Sequence, residues 1–322
     1  SAPPREPRVS TSHSPRSRVV FAARNMRSAH ASPVQRGVLL RRKHVPRDAT
    51  NARAWGRVSP PPKNLGRFLS KSNALPGVQH PWSPVGETPG DVIAELASRV
   101  VAAAYFGNGD GEGRVFVGIA GCPGSGKSTL AQAVARKVND AAGDDVCVVF
   151  PMDGFHYSLD ELRNNKTLFP DSDEAIKRRG APLTFDAAAF VGAVRAVSME
   201  GKKTDIAVPG FSHETHDPEP GAIVIKPSHK IVLVEGNYLL LPEAPWRYLV
   251  EKNGALKTLL DETWWVDTSV DTSMARIEKR HVSVGRTKEE AKRRADSNDR
   301  LNGELVLTHK GRADVFVPSR DM

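Results

Sequence analysis

The sequence predicts an α/β fold: three layers, with helices on both faces of a mostly parallel central sheet. Short apolar runs typical of buried strands recur along the chain, at 115–120, 146–150, 231–235, 263–267 and 313–317. Segments with helical spacing or helix-capping residues lie between most of them, and this alternation builds parallel sheets. The run at 231–235 is almost wholly apolar, as in a strand that is covered on both faces.

Charge is distributed unevenly along the 322 residues, whose net charge is +9. Residues 1–67 hold 13 Arg and 2 Lys against only Glu6 and Asp48, so this part carries +13 and residues 68–322 carry −4. A mildly acidic body argues against nucleic acid as a partner, and the arginines of residues 1–67 lack the regular aromatic interleaving of a nucleic-acid-binding arm. The length allows one or two domains with a sizeable core and leaves the oligomeric state open.

The front of the chain is rich in Arg, Ser, Pro and Ala and lacks a sustained apolar run, which argues against a secretory signal or a membrane span. We expect residues 1–85 to be a disordered basic leader, interpreted as an organelle transit peptide that continues into a linker. Chloroplast and mitochondrion both stay open; a disordered tail without a targeting role, in a cytoplasmic protein, is the alternative. Cys122 and Cys147 make no disulfide framework, which favours a reducing compartment.

The globular body is expected to span residues 86–322 and to begin with a helix. Thr88 can cap this helix and Pro89 suits its first turn. The apolar residues of its inner face recur at helical spacing: Val92, Leu96, Val100 and Ala103.

The stretch from Gly121 to Ser128 has the spacing G-x-x-x-x-G-K-S, between the first strand and a helix predicted over 127–139. Its glycines let backbone N–H groups turn inward around phosphate oxygens, and the helix N-terminus adds its positive dipole. Lys127 would reach the β- and γ-phosphates and Ser128 would hold Mg²⁺. The fold class is therefore a three-layer P-loop NTPase sandwich. The candidate nucleotide contacts here are Gly121, Pro123, Gly124, Ser125, Gly126, Lys127, Ser128 and Thr129.

Further helices are predicted from capping residues and spacing. Ser158 with Glu161, and Thr287 with Glu290, are capping-box patterns that each open a helix. Residues 186–199 and 271–282 have helical patterns. The stretch after 201 is polar and rich in Pro and Gly apart from a short apolar run at 206–208, and its continuation over 211–218 is interpreted as a loop.

Asp153 follows the second predicted strand, in the run Pro151 to Tyr157. A carboxylate at the carboxyl end of a strand could deprotonate an acceptor hydroxyl and contact Mg²⁺. His156 and Tyr157 would supply hydrogen bonds suited to a polyol. The alternative is that Asp153 only forms a turn with Gly154.

Glu235 ends the most apolar strand, where burying a charge is costly without a partner. Mg²⁺, bound directly or through water, is the expected partner, and a solvated strand end is the alternative. Basic residues cluster over a later helix and the turn after it: Arg276, Arg280, His281 and Arg286. Arginines can cover a transferring phosphoryl group, so this segment is expected to be an Arg-bearing helical lid; a solvated basic face is the alternative.

These segments together resemble the phosphoribulokinase/uridine kinase family of P-loop kinases, which also includes the bacterial-type pantothenate kinases. The resemblance spans residues 118–317 and rests on the phosphate loop, the D-G-F-H run at Asp153, the E-G pair at Glu235 and the V-D-T segment that leads to the arginines. It implies that Asp153 is a catalytic base and near-metal ligand, and that residues 86–322 are a P-loop kinase domain.

Longer motifs resemble a subgroup of sugar-kinase-like proteins associated with bacterial fructose transport. They are P-M-D-G-F-H, R-R-G-A-P-x-T-F-D from Arg178, V-E-G-N-Y-L-L-L from Val234 and R-H-V-x-x-G from Arg280. The resemblance implies an ATP- and Mg²⁺-dependent kinase that phosphorylates a hydroxyl of a small metabolite. We expect Lys127, Asp153 and Arg280 to act in catalysis, Arg280 and Arg286 to contact nucleotide, and Ser128, Asp153 and Glu235 to organise Mg²⁺.

The acceptor is expected among His156, Tyr157, Arg179 and His213. Its identity stays open, because R-G-A-P at 179–182 replaces an H-P-containing segment of uridine kinases. The alternative function is a P-loop ATPase that regulates a protein partner and has no small-molecule acceptor.

Overall fold

The structure, a computed structural model, describes residues 82–106, 114–201, 203–212, 214–251 and 258–319. Apart from residues 82–85, the expected leader and linker lie outside the described residues. Trp82 pairs with the last strand of the sheet, because its N–H donates to Asp314 and its carbonyl accepts from Phe316. Its ring lies 4.7 Å below the Arg99 guanidinium. The described body therefore already contacts the sheet four residues before the predicted boundary at 86.

The strands of the described residues are β1 (Val115–Ala120), β2 (Cys147–Pro151), β3 (Ile206–Ser212), β4 (Asp217–Ile225), β5 (Ile231–Glu235), β6 (Glu262–Asp267) and β7 (Val315–Pro318). The central sheet has the order β2-β5-β1-β6-β7, and all its pairs are parallel. β3 and β4 form a separate antiparallel hairpin. The predicted strands are confirmed, with ends that shift by one or two residues.

The α-helices are α1 (Pro89–Phe106), α2 (Lys127–Ala142), α3 (Leu159–Asn164), α4 (Ser172–Lys177), α5 (Ala187–Met199), α6 (Val270–Ser283), α7 (Lys288–Arg294) and α8 (Arg300–Leu307). A π-helical turn, Ala295–Asp299, joins α7 to α8. Both predicted capping boxes form. Within the described residues, every helix is too short or too polar to span a lipid bilayer.

Alternate side chains of the strands point into two separate cores. On one face, Val117 and Leu233 pack with apolar residues of α1 and α2. On the other face, Phe116 and Val232 pack with α5, with the 3₁₀ turn Trp246–Leu249 and with Val306 of α8. This is the three-layer α/β arrangement that the sequence predicts.

The main difference from the sequence prediction is the segment after α5. Its Pro and Gly residues predict a loop over 211–218, whereas Phe211 and Ser212 end β3 and Asp217 begins β4. The hairpin tolerates Pro209 because the register shifts there, between Val208 and Gly210. Pro is accommodated at such irregularities, where a ladder hydrogen bond is already missing.

Candidate active site

The strand order brings three functional segments to one edge of the sheet. β5 lies between β1 and β2, and Glu235 is in register with Ile119 of β1 and Pro151 of β2. Because parallel strands share their carboxyl ends, Glu235 adjoins both the phosphate loop after β1 and the Asp153 turn after β2. The candidate residues of the three segments therefore converge on one region.

The phosphate loop has the backbone that its glycines permit. Gly124 and Gly126 have φ of 77° and 99°, values that favour glycine. A Cβ on Gly124 would also lie 2.5 Å from the Ser273 carbonyl oxygen of α6. Lys127 begins α2 and is buried, and its ammonium donates to the Cys122 carbonyl at 3.1 Å. Burial lowers the pKa of Lys127, while the nearby Glu235 and Asp153 charges oppose this shift.

Glu235 is buried, and its Oε1 accepts a hydrogen bond from the Ser128 hydroxyl at 3.1 Å. Burial and then the Asp153 charge raise the pKa of Glu235 to about 7, against the opposing effect of Lys127. A bound cation would offset both causes, because its charge would favour the ionised carboxylate. Within the described residues there is no cluster of three His, Cys, Asp or Glu side chains that could hold a metal. The set fits Mg²⁺ nonetheless, since this ion commonly takes one or two carboxylates plus substrate phosphates.

Two glycines permit close backbone packing around Asp153. A Cβ on Gly236 would lie 2.6 Å from the Met152 Cβ. A Cβ on Gly154 would lie 2.2 Å from the Pro209 carbonyl oxygen of the hairpin. Gly154 does not have a positive φ. Asp153 and Gly154 do lie in a 3₁₀ turn, Met152–Phe155, but this turn needs no positive φ at Gly154, and the glycine instead permits the close approach of β3.

His156 is held by two aromatic rings beside Asp153. Its ring centroid lies 3.9 Å from that of Phe185 and 5.1 Å from that of Phe211. Its Nδ1 lies 2.9 Å from the Asp153 carbonyl oxygen. Because that oxygen can only accept, Nδ1 carries the proton and Nε2 is the acceptor in the neutral ring. Burial lowers the pKa of His156, against the opposing charge of Asp153, and so favours the neutral ring.

Arg179 and Tyr157, two of the residues expected to bind the acceptor, each contact other segments of the chain. The Arg179 guanidinium donates to Asp217 Oδ1 at 2.6 Å and to the Tyr157 carbonyl at 3.2 Å. It thus connects the R-R-G-A-P segment to the hairpin. The Tyr157 ring packs edge-on against Phe169, at 5.1 Å between centroids, beside Leu162. His213 lies outside the described residues.

The arginine-bearing segment forms α6, a turn and α7, as predicted. Arg280 is exposed near the end of α6, yet its charge contributes to lowering the Lys127 pKa. Arg286 is exposed in the turn. The end of α7 and the π-helical turn contact Arg179. The Arg179 carbonyl accepts hydrogen bonds from Arg294 at 3.1 Å and from Asn298 at 2.8 Å.

Several residues near the site were not singled out from the sequence as site residues. Tyr238, in the E-G-N-Y run, donates its hydroxyl hydrogen bond to the Gly180 carbonyl. Asn237 Oδ1 is buried and has no hydrogen-bond partner among the residues that the structure describes. The position of both residues directly after Glu235 is the signal that could have found them. Thr268, the last residue of the V-D-T segment, and Ser319 contact the phosphate loop from the ends of two other strands. No local pattern indicates the contact of Ser319.

The parallel sheet, the glycine loop opening α2 and the acidic residues at two strand ends define the class of P-loop kinases. A uridine kinase-like protein of Schizosaccharomyces pombe is 40% identical over 208 residues, which cover 63% of this chain and 83% of that protein. An ATP-dependent kinase-like protein of Aspergillus versicolor is 31% identical over 171 residues, 52% of this chain and 93% of that protein.

A solved structure that is named as a kinase is also similar to this chain. The crystal structure of a candidate fructose transport system kinase from Silicibacter sp. TM1040 is 28% identical, with a TM-score of 0.57, over 72% of this chain and 99% of that one. No protein-family model matches the sequence. From the relatives, the chain belongs to the phosphoribulokinase/uridine kinase family of P-loop kinases.

Proposed function

We propose that the protein transfers the γ-phosphate of ATP, with Mg²⁺, to a hydroxyl of a small metabolite such as a sugar, a sugar phosphate or a nucleoside-like compound. The observation that carries the proposal is the convergence of Lys127, Ser128, Asp153 and Glu235 at the carboxyl ends of β1, β2 and β5. Such a transfer requires a base for the hydroxyl, here Asp153, and a positive charge for the phosphates, here Lys127. It also requires ligands for Mg²⁺, here Ser128 and Glu235.

The phosphate loop binds the nucleotide through backbone N–H groups at the start of α2. Lys127 exchanges its contact with the Cys122 carbonyl for the β- and γ-phosphates. Ser128 and Glu235 would hold Mg²⁺, which supplies charge neutralisation between the phosphates. Their contact at 3.1 Å already places both oxygens on the same side of the loop.

Asp153 accepts the proton of the acceptor hydroxyl. The acceptor oxygen forms the new bond to the γ-phosphorus as the bond from that phosphorus to the bridging oxygen of ADP breaks. The turn Met152–Phe155 places Asp153 at the end of β2. Close packing of Gly154 on Pro209 and of Met152 on Gly236 holds the residues on either side of Asp153. A base so constrained is oriented before substrate binds, which favours catalysis by positioning.

The neutral His156 offers an acceptor lone pair at Nε2, suited to a hydroxyl donor on the acceptor molecule. Arg179 acts indirectly, since its ion pair with Asp217 holds the hairpin that carries Phe211 against His156. Arg280 closes over the phosphates from α6 as charge develops during transfer.

The test is a screen of the full chain for ADP release with ATP and Mg²⁺, across sugars, sugar phosphates, nucleosides, pantothenate and glycerate. We expect release that depends on one acceptor class. Asp153→Asn should lower that turnover by about two to four orders of magnitude, the range of a general base, while ATP still binds.

ATP hydrolysis that no acceptor stimulates would instead favour an ATPase that acts on a protein partner. Wild-type turnover by the Asp153→Asn variant would mean that Asp153 is not the base. Thermal melting of this variant, compared with the wild type, separates a loss of chemistry from a loss of folding.

A further inference from the structure

The carbonyl oxygen of Ser125, within the phosphate loop, accepts from side chains of three separate segments. Thr268 Oγ1 lies 3.2 Å from it, Arg276 Nη1 3.3 Å and Ser319 Oγ 3.4 Å. Thr268 directly follows β6, Arg276 lies on α6 and Ser319 directly follows β7. Arg276 Nη1 also donates to the Ser319 hydroxyl at 3.1 Å, so the three donors form one group around a single acceptor.

The orientation of this carbonyl decides the orientation of the next N–H. A trans peptide is planar, and its C=O and N–H point in opposite directions. Holding the Ser125 carbonyl among Thr268, Arg276 and Ser319 therefore turns the Gly126 N–H away from them, to the opposite side of the peptide. Gly126 has a φ of 99°, and no atom of the described part of the chain lies within 4 Å of its Cβ position. Side-chain packing at Gly126 therefore does not fix the orientation of this peptide.

The charge of Arg276 adds a second effect. A cation that donates to a carbonyl polarises the whole peptide unit and makes its N–H a stronger donor. Helix α6 also packs closely against the loop at Gly124. A Cβ added to Gly124 would lie 2.5 Å from the Ser273 carbonyl oxygen and 2.8 Å from Ile277 Cγ1. The helix thus packs against the loop on one side, and the charge of Arg276 acts on the Ser125–Gly126 peptide.

We propose that Arg276, Thr268 and Ser319 are positioning residues that fix the Ser125–Gly126 peptide so that the Gly126 N–H donates to the β-phosphate of the nucleotide. Arg276 therefore acts through the loop backbone, rather than by contacting phosphate or by forming a solvated helix face. This inference rests on the proposed function, in that the loop must bind ATP.

The experiment measures the affinities of ATP, ADP and AMP for the full chain by titration calorimetry, with Arg276→Gln and the wild type. AMP lacks the β-phosphate but keeps the base, the ribose and the first phosphate. We expect Arg276→Gln to lower the affinities for ATP and ADP by about tenfold or more, which is the effect of losing one hydrogen bond to a charged group. The affinity for AMP should fall by less than about twofold on the same scale. Lys279→Gln is the matched control, because it removes one exposed positive charge from the same helix.

Two further variants each remove one of the other donors. Thr268→Val keeps the side-chain shape, and Ser319→Ala removes only a hydroxyl. Each variant should lower the affinities for ATP and ADP by a few-fold and leave the affinity for AMP unchanged, as expected for the loss of a neutral hydrogen bond. They also keep the inference testable if Arg276→Gln fails to fold.

An equal loss of ATP and AMP affinity in Arg276→Gln would place Arg276 against the nucleoside and overturn the inference. Unchanged ATP affinity in all three variants would also overturn it. If the wild type binds ATP normally in either case, the proposed function survives, whereas a wild type that binds no ATP overturns both.

Discussion

Replacing Gly154 by Ala tests whether the hairpin holds the catalytic turn in place. The added Cβ would lie 2.2 Å from the Pro209 carbonyl oxygen and 2.7 Å from the Pro209 carbonyl carbon. An ordinary carbon–oxygen contact is about 3.3–3.6 Å, so the two backbones must separate by about 1 Å. Neither contact can be relieved by rotating a flexible side chain, because both are with backbone atoms.

The expected cost follows from that displacement. Overpacking in a well-packed region costs about 1–3 kcal/mol. For a domain of this size, each kcal/mol lowers the melting temperature by about 2–4 °C. A misplacement of about 1 Å in a catalytic group can reduce the rate about 100-fold, and Asp153 is the neighbour of the substituted residue. We therefore expect Gly154→Ala to lose both stability and turnover.

Chemical denaturation and steady-state kinetics, on the acceptor that the screen identifies, measure the two effects. Gly192→Ala is the matched control, since Gly192 is an exposed position inside α5, and no atom in the described ranges lies within 4 Å of its Cβ position. There the same substitution should stabilise the protein by about 0.5–1 kcal/mol through helix propensity, with unchanged turnover. A Gly154→Ala variant as stable and as active as the wild type would refute the close packing of β3 on the turn.

Two other predictions concern the lid and the start of the body. Arg280→Ala should lower kcat by about tenfold or more with ATP affinity changed by less than about twofold, because its contact strengthens as charge develops; Arg280→Lys should recover only part, since Lys lacks the bidentate fork. A change in ATP affinity alone would make Arg280 a ground-state contact. Deleting residues 1–81 should leave the melting temperature unchanged, whereas Trp82→Ala should cost about 1–2 kcal/mol in unfolding free energy from lost apolar burial and the Arg99 contact. A large loss on the deletion alone would show that the leader packs on the body.

The sequence by itself determined the features whose signals are local. The phosphate loop, the apolar strand ending at Glu235 and the two capping boxes each depend on residues within a few positions of one another. Such patterns keep their meaning wherever the segment lies in the fold. The position of Asp153 at the end of β2 could be predicted as well, because the carboxyl ends of parallel strands in an α/β sheet lie at one edge, where ligands bind.

Only the tertiary structure decided which residues, distant in the sequence, the functional side chains contact. Arg179 pairs with Asp217, 38 residues away, and Arg276 reaches Ser125, 151 residues away. The role of Gly154 likewise depends on Pro209. The stretch 211–218, where local composition predicts a loop, contributes residues to both strands of a hairpin. These outcomes depend on packing between distant segments, and the free energy of such contacts is set by the assembled fold rather than by neighbouring residues.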